Sequence, residues 1–143
     1  MKLFYALLLT AWSLHADTID HFINIANNIP QMEMKADSES QAWARSARNI
    51  LNLTSESIAE TLLLANAHAS RTGAPLFCPP PNTEITAQAM NELIQKTYQD
   101  IKSQQSDKDR MSVSQVALIG LGKAYPCRNR LASMPRIRIQ HRA

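Results

Sequence analysis

Along most of the chain, apolar residues recur every three or four positions, and short polar or proline-rich stretches interrupt them. That period marks amphipathic helices rather than strands. Ile19, Phe22, Ile23, Ala26 and Ile29 fall on one helical face, with Asp17 and Asp20 suited to the positive end of that helix. Pro30 is expected to stop it. Residues 31–37 read as a connector in which Met32 and Met34 fill gaps. Ser38 followed by Gln41 has the form of a capping box. The helix behind it carries Trp43, Ala47, Ile50 and Leu51 as its apolar stripe, with Arg45, Arg48 and Asn52 turned away. Thr54 or Ser55 is expected to cap a third helix bearing Ile58, Leu62, Leu63, Ala65 and Ala69. The run Leu62-Leu63-Leu64 covers more of the circumference than a one-sided helix needs, which predicts the most buried element of the fold. Its alanines at 59, 65, 67 and 69 admit close neighbours.

The stretch from Arg71 to Pro75 ends that pattern, and Pro79, Pro80 and Pro81 hold the segment from Phe77 to Asn82 extended. Asn82 or Thr83 is expected to cap a long helix with Ile85, Ala89, Met90, Leu93, Ile94, Tyr98 and Ile101 on its apolar side. Residues 102–110 are polar throughout. Ser112 with Gln115 is a second capping-box signature, opening a helix of Val113, Val116, Ala117, Gly120, Leu121 and Ala124 that Pro126 closes. The pattern predicts an all-α fold, a compact bundle of about five helices. Leu62, Leu63, Leu93, Ile94 and Leu121 are expected to be buried together.

Both ends differ from this middle. Met1-Lys2 is a short positive start, and Leu3 to Leu14 is an apolar run too short to span a bilayer. The pattern is that of a signal peptide over residues 1–16, cut after Ala16. The exported domain would then cover residues 17–127, and residues 128–143 form a basic tail that reads as a disordered, solvated end. An oxidising compartment changes the meaning of Cys78 and Cys127, the only two cysteines of the chain. There they are expected to form one disulfide. A closed loop of that length stabilises a fold by about 4 kcal/mol in the chain-entropy description.

Charge is distributed unevenly. Asp17 to Cys127 holds nine Lys/Arg against twelve Asp/Glu, a net charge of −3, whereas the tail has five arginines and no acid. The basic overall balance therefore belongs to the tail. A mildly acidic domain suits a basic protein partner better than a nucleic acid. The tail could also meet anionic lipid headgroups at a membrane surface, without insertion.

Candidate chemistry is sparse. Cys78 could act as a nucleophile with His68 as its base, but a cysteine among prolines lacks the helix N-terminus that lowers a thiol pKa. The histidines have no ligand spacing with either cysteine, so no metal is expected. Gly120-Leu121-Gly122-Lys123 lacks the first glycine and the final Ser/Thr of a phosphate loop, and close helix packing is the better account. Asp107 and Asp109 could pair as acid and base, although an exposed charged loop explains them as well. Asn52-Leu53-Thr54 is a glycosylation sequon that matters only in a eukaryotic secretory route. Nothing points to catalysis or to a cofactor.

Leu76-Phe77-Cys78-Pro79, a helix from about Thr83, then Val116-Ala117-Leu118 and Tyr125-Pro126-Cys127 together resemble the Rap/Tai immunity proteins of type VI secretion. The resemblance covers roughly Ala65 to Cys127. It implies a small periplasmic helical protein that binds a secreted peptidoglycan amidase and occludes its active-site cleft, with no activity of its own. Of the connections such a bundle offers, the 102–110 loop is the expected contact. Gln104, Gln105, Ser106, Asp107 and Asp109 there supply hydrogen-bonding and charged groups for a polar cleft. A second copy in a homodimer stays open as a further partner. The alternative function is a periplasmic chaperone of the acid-stress type, which exposes apolar surface when its carboxylates protonate.

Overall fold

A computed structural model describes residues 18–101 and 107–127. The predicted signal peptide, the basic tail, and Gln104, Gln105 and Ser106 lie outside the described residues. The described chain folds into four α-helices and one 3-10 turn: α1 (Ile19–Glu33), α2 (Ser38–Thr72), α3 (Ala87–Ile101), the 3-10 turn Lys108–Arg110, and α4 (Val113–Ala124). No strand occurs among the described residues beyond an isolated bridge between Thr18 and Ser112. The all-α class holds, with one helix fewer than the sequence pattern suggests.

The difference lies in α2, a single helix of 35 residues where two were expected. Ser55 does not cap anything. It sits mid-helix and fully buried, within a stripe of Ala44, Ala47, Leu51, Ser55, Ala59 and Leu62 that runs on without a break. No glycine or proline lies between Leu51 and Ile58 to stop the helix, so continuous burial outweighs the local capping preference of Thr54 and Ser55. The buried stripe is also rotated from the expected one. Ala47 and Leu51 are buried as expected, but Trp43 is 40% and Ile50 53% exposed, while the small Ala44 faces the core in their place. Of the leucine run only Leu62 is buried; Leu63 is 37% and Leu64 73% exposed. α2 is therefore a long helix with one covered side, not the most buried element.

The Oγ of Ser55 is the one buried side-chain polar atom among the described residues with no hydrogen-bond partner. An unpaired hydroxyl costs about 1–3 kcal/mol, and Ala is also the better helix former. Ser55→Ala should thus leave stability unchanged or raise it by about 1 kcal/mol, read from the urea midpoint. A loss of that size would show that Ser55 has a partner.

Helix ends follow local chemistry in four different ways. Pro30 does not stop α1, which runs three residues further to Glu33, with the Met34 amide donating to the Pro30 carbonyl at 3.2 Å. A proline this near the end removes only one late hydrogen bond. Asp37, not Ser38, caps α2: its carboxylate accepts from the Ser40 amide at 2.7 Å, which holds its pKa below the usual carboxylate range. Gln41 is thereby released, and its Nε2 donates back to the carbonyls of Glu33 and Lys35 at 3.2 and 3.0 Å. The helix after the prolines starts at Ala87 rather than at Thr83, because Thr86 supplies the cap through its Oγ1, 3.1 Å from the Ala89 amide. At α4 the capping box forms as the sequence predicts, with reciprocal Ser112 and Gln115 bonds at 2.8 and 3.2 Å.

α2 packs against α1 and α3, and α3 against α4. Phe22, Phe77, Met90, Ile94, Val116 and Leu121 have essentially no exposed surface and fill the centre. Leu62, Ile94 and Leu121 join this core as expected, and Leu93 is half-buried against it. α4 meets α3 at Gly120. A Cβ there would clash with Thr97 Oγ1 and lie 3.0 Å from Leu93 Cγ, so the glycine serves close packing. Thr97 is buried and β-branched, with little freedom to turn away. Gly120→Ala should cost about 1–3 kcal/mol despite the gain in helix propensity. Adding Thr97→Ala should recover part of that loss in a double-mutant cycle; no recovery would place the clash elsewhere.

Candidate functional site

Two connections and one cleft could meet a partner. The first connection is the extended segment before α3. The amides of Leu76 and Phe77 both donate to Asn66 Oδ1, at 2.7 and 3.1 Å, which ties the segment to the last turns of α2. The Cys78 amide donates to the Tyr125 carbonyl at 2.8 Å, and Cys78 is disulfide-bonded to Cys127 with their Cα atoms 4.9 Å apart. Cys78 thus carries no thiolate, and the pairing with His68 considered from sequence has no nucleophile. Asn82 completes the turn after the prolines at φ 63°, a left-handed conformation that asparagine tolerates. Thr83 Oγ1 closes the turn on the Pro80 carbonyl at 2.7 Å. This segment is a clamped support.

The second connection is the one singled out from sequence. Gln104, Gln105 and Ser106 lie outside the described residues, so the structure places only Asp107 and Asp109 of the five. Asp107 is exposed and opens the 3-10 turn, its carbonyl accepting from the Arg110 amide at 3.0 Å. Asp109 turns inward: its Oδ1 accepts from the Tyr98 hydroxyl at 2.7 Å and from Lys108 Nζ at 2.9 Å, while its side chain stays 52% exposed. Lys108 Nζ also lies 5.2 Å above the Tyr98 ring. The carboxylate of Asp109 raises the pKa of both Tyr98 and Lys108, chiefly through these hydrogen bonds. Raised values favour the protonated forms, so what this cluster contributes is present at neutral pH and is lost as pH climbs through the alkaline range. Asp109 is thus an anchor as well as a surface group.

The cleft, which sequence reasoning missed, has a volume of about 850 Å³ and lies between α1, α2 and α3. Its floor is apolar, with Ile29 and Leu51, and its rim is polar, with Asn52, Glu56, Gln88 and Gln95. Arg48 stands at one edge and pairs with Glu33 across the α1–α2 connection. On α3 the carboxamides bond along the helix, Gln88 to Glu92 and Gln95 to Asn91, both at 2.9 Å. The spacing Gln88, Asn91, Glu92, Gln95 was the available signal, a polar row at helical period beside the apolar stripe. No group of three or more His, Cys, Asp or Glu that could hold a metal occurs among the described residues. No helix among them is long and apolar enough to cross a membrane.

No protein-family model, curated protein or solved structure matches the chain.

Proposed function

We propose that this protein is a periplasmic immunity protein of the Rap/Tai type, which binds a secreted peptidoglycan amidase and occludes its active-site cleft without catalysing a reaction itself. The basis is the sequence resemblance together with one structural observation: the 102–110 connection is fixed at both ends. Ile101 is buried at its entrance. At its exit Asp109 is held by Tyr98, the Met111 carbonyl accepts from the Ile19 amide at 2.8 Å, and the Ser112 capping box follows. Fixed flanks let the acids beside them meet a partner without rearrangement of the bundle, which favours tight binding. Asp107 and the exposed part of Asp109 give it acidic character suited to a basic cleft mouth.

With the amidase in hand, replacing 104–109 by a Gly/Ser linker of equal length should weaken binding by at least about 2 kcal/mol, the hot-spot threshold. Because that change also removes the Asp109 anchor, a second variant, Gln104→Ala/Gln105→Ala/Asp107→Ala, tests the contact with Asp109 left in place. Unchanged affinity in both, with the fold intact, would move the contact to the cleft beside Arg48.

A further inference from the structure

The cleft between α1, α2 and α3 has a floor and walls of different chemistry. Ala26, Ile29 and Leu51 line the floor. Exposed Glu56 stands on the α2 wall and exposed Glu92 on the α3 wall. Arg48, the one cation among the lining residues, is already engaged by Glu33. The excess charge of the site is therefore negative. Asn52, Asn91 and Gln95 add carboxamides, which both donate to and accept from a peptide backbone. An apolar floor between acidic walls suits an extended chain in which apolar and basic residues alternate.

We propose that the occupant is the chain's own basic tail, with Arg136-Ile137-Arg138-Ile139 docked in the cleft as an extended segment. The alternation has the period of a strand, so Ile137 and Ile139 share one side and Arg136 and Arg138 the other. Pro135 favours an extended backbone at the residue just before this run. The two isoleucines then cover Ile29 and Leu51 on the floor. The arginine arms reach the rim, one toward Glu56 and one toward Glu92, where planar guanidinium groups match carboxylates. The contact joins the acidic excess of residues 17–127, a net charge of −3, to a tail with five arginines and no acid.

Reach permits the contact. The tail leaves from Cys127, whose Cα lies 4.9 Å from that of Cys78. From Cys78 the chain arrives at Thr86, on the cleft wall, through a segment folded back by the turn from Pro80 to Thr83. Cys127 and Thr86 are therefore no more than about 30 Å apart. The stretch from Cys127 to Arg136 covers about the same distance when extended, so the next four residues arrive at the cleft. A tether of this length gives the segment an effective concentration on the order of millimolar, at which even a modest contact stays closed. The cleft and the 102–110 connection use different residues, so the inference does not depend on the amidase reading.

Two measurements on the chain from Asp17 to Ala143, with its disulfide intact, test the docking. In nuclear magnetic resonance spectra, Arg136→Glu/Arg138→Glu should shift the side-chain amide signals of Asn52, Asn91 and Gln95. Those of Asn66 and Gln115, which do not line the cleft, should stay in place. In limited trypsin digestion followed by mass spectrometry, Glu56→Gln/Glu92→Gln should speed cleavage after Arg136 and Arg138 by about fivefold, the loss of two exposed ion pairs. Cleavage after Arg128 should not change. Unmoved cleft amides overturn the proposal, as do shifts confined to other residues. Equal cleavage rates in both proteins also overturn it, and are the result if the arginines serve an anionic lipid surface instead. Protection that disappears on dilution would place the tail in the cleft of another copy and overturn the intramolecular contact.

Discussion

Phe77→Ala is expected to lower the unfolding free energy by about 3–5 kcal/mol, the usual cost of truncating a buried aromatic. Phe77 has no exposed surface, although it sits in an extended segment between α2 and α3. Its backbone is fixed by the bond to Asn66, and the next residue is held by the disulfide, so the segment cannot easily settle into the space the ring leaves. The lost transfer free energy and the residual cavity therefore add. Phe77→Leu, which keeps most of the volume, should cost under half as much. Urea unfolding followed by far-UV circular dichroism measures both. A loss below about 1 kcal/mol for the alanine variant, far short of the buried-aromatic range, would mean that the ring is not a core residue.

Cys127→Ser, the second large effect, should cost about 2–5 kcal/mol by opening a loop whose ends are 49 residues apart in sequence. The bridge holds the start of the proline segment to the end of α4, where Tyr125 already accepts from the Cys78 amide. Phe77 and the bridge hold the same segment, so their effects should couple, and Phe77→Ala with Cys127→Ser should cost less than the two single losses together. Labelling of the denatured protein should find no reactive thiol. Two reactive thiols would contradict the bridge.

What the sequence made legible was local and unopposed. Ser112 with Gln115 formed its capping box, with Met111 rather than a carboxylate standing one residue earlier. Ser38 with Gln41 carries the same signature and gave a different result, since Asp37 stands one residue earlier with a stronger acceptor. The split of α2 at Thr54 failed for a tertiary reason: a continuous buried stripe overrides an internal cap preference. Hydrophobicity ranked Trp43 and Ile50 as core beside Ala47 and Leu51; the latter two are buried as expected, whereas close helix packing selected the small Ala44 and left Trp43 and Ile50 largely outside. The cleft could not be read directly, as its walls come from three helices far apart in sequence. Of the five residues expected at the partner surface, Asp109 illustrates the limit of composition: an apparently solvated acid turns out to anchor Tyr98.

Inhibition of a peptidoglycan amidase, the proposed role, can be followed in a single assay. The protein, immobilised and exposed to the secreted proteins of strains that deliver such enzymes, should retain a peptidoglycan amidase. Hydrolysis of purified sacculi by that enzyme is then followed as the protein is added. Hydrolysis should fall to background near one inhibitor chain per enzyme. Hydrolysis that continues unchanged at a large excess of correctly folded, disulfide-bonded protein would contradict it.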